Sequence, residues 1–213
     1  MAPQERAVAT RSAIIRAAAA VFEEHGYGGT SIATVATRAG VTKGALYFHF
    51  AAKEDLAMAV IGEQQAIASA EGARVHALGR PALETMILIG RVFALQLIEH
   101  SVMRAGVRLM FEASAFGHDV HQPYLDWTSR FSEFARTAIQ DGDLRPDLDA
   151  EAFARLVVGA YTGVQMVSNI LTGRADVLDR LGDLWEMLLP GVVARDLQDD
   201  VPRYVALFRK GLE

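Results

Sequence analysis

Gly40-Val41-Thr42-Lys43-Gly44-Ala45-Leu46-Tyr47-Phe48-His49-Phe50-Ala51-Ala52-Lys53-Glu54-Asp55-Leu56 is the stretch from which the rest of the chain is read. Gly40 suits the position after a helix, where the backbone turns left-handed. Thr42 suits an N-cap, because its hydroxyl can accept a free amide of the next first turn. A helix therefore ends near Ala39 and a short one begins at Lys43, giving a helix-turn-helix with a glycine-containing turn. Gly44 lies in the first turn of the second helix, where glycine costs about 1 kcal/mol against alanine. It also removes the side chain that would hold the backbone off a partner. Thr42, Lys43, Tyr47, His49 and Lys53 carry polar groups of the donor kind that DNA phosphates accept. The plainer explanation is an amphipathic helix with a solvated face, since Leu46 and Phe50 are one turn apart and would pack inward together.

The wording from Val41 to Phe50, followed by Lys53-Glu54-Asp55-Leu56, resembles the recognition-helix segment of the tetracycline-repressor (TetR) family of bacterial transcription regulators. The resemblance starts near Thr10-Arg11 and departs at Ala52, where many relatives carry a capping serine. Glu54 and Asp55 still supply negative charge at the start of the fourth helix. The resemblance implies an all-α fold: a three-helix DNA-binding domain over residues 1–55, joined through helix four to a helical ligand-binding and dimerisation domain over residues 56–213. It implies duplex DNA contacts from Thr42, Lys43, Gly44, Tyr47, His49 and Lys53.

The chain has 213 residues, about half of them hydrophobic, and a net charge of −5. That charge argues at first against nucleic acid, but its distribution matters more. Residues 1–55 hold six Lys/Arg against five Asp/Glu, which leaves fifteen against twenty-one for the remainder. The front of the chain must rely on a few placed cations rather than a broad basic field. There is no cysteine, which excludes disulfides and thiolate metal sites and fits a cytoplasmic protein. The early alanine-rich run is broken by Arg11 and Arg16 and lacks the apolar core of a secretory signal. Leu156–Gly173 is uncharged, but Thr162, Gln165, Ser168, Asn169 and Thr172 make a membrane span unfavourable. No membrane partner and no cofactor are expected.

Apolar residues at helical spacing extend along the whole chain. A first helix spans about residues 6–25, with Ile14, Ile15, Ala18, Val21 and Phe22 on one stripe, and stops at Gly26-Tyr27-Gly28-Gly29. Thr30 or Ser31 caps the second. The fourth carries Leu56, Val60 and Ile61 inward, with Gln64 as a polar exception, and breaks between Gly72 and Pro81. Helices follow at Ala82–Glu99 and Val102–Ala115, where Arg104 and Arg108 read as structural ion-pair partners. A loop at Phe116–Pro123 carries His118 and His121, whose spacing is wrong for a metal pair on a helix. Further helices cover about Tyr124–Asp141, the stretch from Asp149 to Gly173, a ninth ending at Pro190-Gly191, and Val201–Leu212.

No nucleophile–base pair, metalloprotease motif or nucleotide fingerprint is present, so an enzyme has no constellation to stand on. A helical small-molecule-binding protein without DNA function is the alternative class. Packing alone has no use for a bare first turn beside Lys43, Tyr47, His49 and Lys53, which favours the regulator.

Val102-Met103-Arg104-Ala105-Gly106-Val107-Arg108-Leu109, Trp127, and Tyr161-Thr162-Gly163-Val164-Gln165-Met166-Val167-Ser168 look like the γ-butyrolactone receptors within the TetR family. That resemblance implies a dimeric repressor released from DNA by a small hydrophobic lactone or butenolide. A pseudo-receptor answering an antibiotic or another hydrophobic ligand stays open. An effector pocket is expected under Trp127, with Gln64 and Thr162 as polar interruptions of an apolar cavity. The plainer explanation for Trp127 is core packing beside Phe131 and Phe134. A homodimer is expected through the eighth and ninth helices, because Tyr161, Val164, Met166, Val167, Leu181, Leu184 and Trp185 cannot all face one small core.

Overall fold

The computed structural model describes residues 3–113, 117 and 121–212. The helices are α1 (Pro3–Gly29), α2 (Ile32–Ala39), α3 (Lys43–His49), α4 (Lys53–His76), α5 (Ala82–Glu99), α6 (Ser101–Phe111), α7 (His121–Gln140), α8 (Ala150–Thr172), α9 (Val177–Val192) and α10 (Val201–Lys210). A 3₁₀ turn at Arg195–Asp200 precedes α10. Among the described residues the one β-type pairing is an isolated bridge between Leu144 and Val193.

Two compact units separate along the chain, one within Met1–Ser69 and Glu99–Val120, the other within Ala70–Ile98 and His121–Glu213. The sequence reading divided the chain at residue 55. The first compact unit packs those residues together with most of α4 and with α6, because these two helices supply its floor. Ile14, Ala18, Phe22, Val35, Leu46, Phe50, Leu56 and Val60 form one buried cluster with Val102, Ala105 and Leu109 of α6. Each of the larger side chains among them contributes about 1.5–3 kcal/mol of apolar burial.

Charged contacts fasten α6 to the end of α1. Gly26 takes a left-handed φ of 68° and kinks α1. The positive φ favours glycine there, and a Cβ would also lie 2.6 Å from Arg108 Nη2, so the guanidinium would have to shift. The freed Tyr27 N–H donates to the Glu112 carboxylate at 2.6 Å. Arg108 donates to Glu112 at 2.8 Å and to the Glu23 carbonyl at 2.7 Å, and Arg104 pairs with the Glu23 carboxylate. Both arginines are thus structural partners.

The second unit has its own core. Leu83, Met86, Ile87, Phe131, Ala135, Phe153, Val157, Leu181, Trp185 and Phe208 belong to one cluster. Asp149 caps α8 by accepting the Ala152 N–H at 3.0 Å, and Gly173 ends it in the left-handed region. Three expected boundaries move. α4 runs past Gly72 to His76; a Cβ at Gly72 would meet Trp127 and Arg130 at ordinary contact, 3.7 Å. His121 opens α7 instead of lying in a loop, while His118 is outside the described residues. α9 continues through Pro190 to Val192; Pro190 is exposed, so the carbonyl that loses its amide partner stays on the solvated side.

Candidate nucleic-acid interface and effector site

The turn between α2 and α3 is built entirely from local hydrogen bonds. Ser31, not Thr30, caps α2 by accepting the Thr34 N–H at 3.1 Å. Thr30 turns inward and donates to the Gly26 carbonyl at 2.7 Å. At the other end Gly40 adopts φ 67°, its N–H reaches Thr37 O, and the Val41 N–H reaches Ala36 O. These two bonds form the Schellman closure that a glycine permits. Thr42 then accepts the Ala45 N–H at 3.1 Å and starts α3.

α3 has one buried side, formed by Leu46, with Phe50 completing it just beyond the helix. Thr42, Lys43, Gly44, Tyr47 and Phe48 are exposed, and His49 is half-buried. A Cβ on Gly44 would find only Thr42 Oγ1, at 3.9 Å, so nothing in this chain requires a glycine there. The candidate residues do not all behave alike. Lys53 Nζ donates to the carbonyls of Tyr27 at 2.9 Å and Thr30 at 3.1 Å, and sits 4.2 Å from the Tyr27 ring centroid. Its main visible role is to tie the start of α4 to the end of α1, which uses two of its three N–H donors. Burial, with Glu54 as hydrogen-bond partner, pushes the Tyr27 phenol up to about 12. Ala52 has no side chain to accept a first-turn amide of α4, but the reciprocal half of a capping box is present: Asp55 accepts the Ala52 N–H at 3.0 Å. The early cation Arg11 stacks 5.1 Å from the centroid of Phe50. Sequence reasoning overlooked Phe48, which is 82% exposed on α3 with its ring edge-on to His49. Its signal was its position two residues from the buried Leu46, on the opposite side of the helix.

The three expected effector residues fall in different units. Gln64 belongs to the first, where it is 1% exposed and accepts a hydrogen bond from Gln65 at 2.7 Å. Trp127 and Thr162 belong to the second. Trp127 is half-buried on α7, in T-shaped contact with Phe131 and with Arg130 over its ring at 5.4 Å. Thr162 donates to the Val158 carbonyl at 2.8 Å. Burial chiefly raises the Tyr124 phenol on α7, and the nearby Thr162 hydroxyl partly offsets that push. The fully buried tryptophan is Trp185, whose indole N–H donates to the Tyr161 hydroxyl at 2.6 Å.

That pair corrects the expected interface. Tyr161, Leu181 and Trp185 face the second unit's own core. Tyr161 fits because α5 presents Gly90, where a Cβ would lie 2.2 Å from the Tyr161 oxygen. What α8 and α9 leave outside is a different set: Leu156, Met166, Val167, Ile170 and Leu171 on α8, and Met187 on α9.

Residues 14–60 match the family described as bacterial regulatory proteins, tetR family, and residues 80–194 match the tetracyclin repressor-like C-terminal domain. The chain belongs to the TetR family of bacterial regulatory proteins. Family and homologues are transcriptional regulators, not enzymes. The chain is 37% identical over 192 residues to the A-factor receptor protein of Streptomyces griseus, covering 90% of this chain and 67% of that one. It is similar to a gamma-butyrolactone receptor, an ArpA-like protein, at 30% identity and a TM-score of 0.81, covering 97% of this chain and all of that one. It also matches CprB of Streptomyces coelicolor solved with its biological operator sequence, at 33% identity and a TM-score of 0.79, covering 95% and 96%. No single helix among the described residues is long and apolar enough to cross a membrane.

Proposed function

We propose that this chain is a cytoplasmic, homodimeric transcriptional repressor that binds pseudo-palindromic operator DNA and leaves it when a small hydrophobic γ-butyrolactone or butenolide signal binds. The observation that carries the DNA half is the outer face of α3. It exposes Lys43, Tyr47 and an unpacked Gly44 beside a capped helix start, the form of a helix that enters a major groove. Residues 1–55 form the DNA-binding part, with Lys43 as base or phosphate contact, Tyr47, His49 and Lys53 on phosphates, and Thr42 and Gly44 allowing close approach. Residues 56–213 form the effector-binding and dimerisation part.

The dimer reading rests on the outer stripe of α8. Leu156, Ala160, Gly163, Val167 and Ile170 recur at alternating steps of four and three, the seam spacing of packed helices, and Ile170 is 73% exposed. Such an exposed apolar stripe, with Met187 exposed on α9 as well, is of the kind that marks an interface. Two-fold symmetry would present two copies of α3 to successive turns of DNA.

The effector reading is supported by Trp127 and Thr162, both only partly buried, and by the receptors the chain resembles. Gln64 stands on α4, the helix that begins beside α3, so an effector that repositions α4 would alter the spacing of the two recognition helices. It must bind the released form more tightly to do so. A gel-shift with the chain's own upstream DNA, with and without host lipid extract, tests both halves. A retarded band abolished by the extract is expected. A band indifferent to the extract removes the lactone reading, and no band removes the operator.

A further inference from the structure

On an α-helix successive side chains are about 100° apart. With Leu46 pointing into the core, the residues most nearly opposite it on α3 are Gly44 and Phe48. They form the outermost ridge, one turn apart, with Lys43 and Tyr47 on its flank. One of the two carries no side chain and the other carries a phenyl ring, 82% exposed, whose one aromatic neighbour among the described residues is His49, at 5.2 Å between ring centroids. Scattered exposed apolar residues are ordinary on protein surfaces. An apolar ring at the crest of a groove-entering helix is a different situation, because it is the side chain set deepest among the base edges. It can neither donate to nor accept from them. The one apolar feature on the major-groove edges is the thymine 5-methyl group.

We infer that Phe48 reads thymine: Gly44 lets the backbone of α3 approach the groove, and the Phe48 ring one turn on packs against a thymine methyl in each half-site. This rests on the DNA-binding reading above and adds a specificity element that carries no hydrogen bond. Lys43, Tyr47 and His49 would supply position and charge, while Phe48 would supply sequence preference.

The test starts from a random-sequence duplex library enriched on the wild-type chain. In the recovered duplex each thymine is replaced singly by deoxyuridine, which keeps the base pair and removes only the methyl. At one position per half-site the wild type should lose about fourfold in affinity, the worth of one buried methyl at about 0.8 kcal/mol, and replacing both together should lose about fifteenfold. Phe48→Ala should bind the parent duplex more weakly and show no further loss on the uracil duplex, with an unchanged thermal midpoint because the ring is solvated. Phe48→Leu, which keeps an apolar tip, should retain part of the thymine preference and serves if the alanine variant binds too weakly to measure. Wild-type binding that is indifferent to every uracil replacement overturns the role of Phe48, as does an equal uracil penalty in wild type and both variants. A library from which the wild type enriches nothing overturns the DNA-binding reading itself, and this inference with it.

Discussion

The Gln64 side chain occupies the space that Gly106 leaves open: a Cβ on Gly106 would lie 2.4 Å from Gln64 Cβ and 2.6 Å from its Cγ. Neither atom is a flexible tip, so α4 and α6 cannot keep this distance if residue 106 gains a side chain. Gly106→Ala should destabilise the protein by about 1–3 kcal/mol, the usual cost of overpacking. Urea unfolding followed by tryptophan fluorescence and far-ultraviolet dichroism measures it; an unchanged midpoint would show that the two helices separate freely.

Lys43 and Lys53 should separate cleanly on mutation. Lys43→Ala removes a solvated cation and should weaken operator binding tenfold or more with little effect on thermal unfolding. Lys53→Ala also breaks two charge-assisted bonds to the Tyr27 and Thr30 carbonyls, so it should lower stability by about 1–3 kcal/mol as well as weaken binding. If both variants unfold like wild type, the Lys53 contacts contribute nothing to the fold.

The two tryptophans should also behave oppositely. Trp185→Ala empties a fully buried site and orphans its partner Tyr161, and should cost about 3–5 kcal/mol. Trp127→Ala should leave operator affinity nearly intact while keeping the protein on DNA at signal concentrations that release the wild type. Release at the same concentration would make Trp127 a packing residue only.

Ile170→Glu tests the outer stripe of α8. A carboxylate in an apolar interface is uncompensated there, and light scattering should shift from the dimer toward the 23.1 kDa monomer. A variant that stays dimeric places the interface elsewhere.

Asp176 links the end of α8 to the start of α9 and predicts an acid dependence. The Ser168 hydroxyl, donating at 2.6 Å, chiefly lowers its carboxyl; burial opposes, and Thr172 and Arg180 lower it further, to about 2. The folded value lies below the unfolded 3.8, so the stabilisation is complete above about pH 4 and disappears as pH falls through about 2. The stability gap between wild type and Asp176→Asn should therefore shrink between pH 4 and pH 2, and a gap constant across that window would contradict the assignment.

The helix-turn-helix was legible in the sequence because each of its bonds is short-range. Gly40, Ser31 and Thr42 act on amides within four residues, so residue type and spacing suffice to place α2, the turn and α3. The apolar periodicity likewise marked the helices of the second unit, with errors confined to ends such as Gly72 and Pro190, where packing and solvation outweigh helix propensity. What lay beyond the sequence depends on partners far along the chain. Nothing local reveals that Gly90 makes room for Tyr161, turning Tyr161 and Trp185 inward and leaving Ile170 and Met187 outside. Nor does local wording show that Lys53 is held by carbonyls more than twenty residues earlier, or that Glu112 closes the kink at Gly26 and fastens α6 to the first unit. Caps and periodicity are properties of neighbours in sequence, whereas which apolar face is buried, and which cation stays free, is decided when distant helices meet.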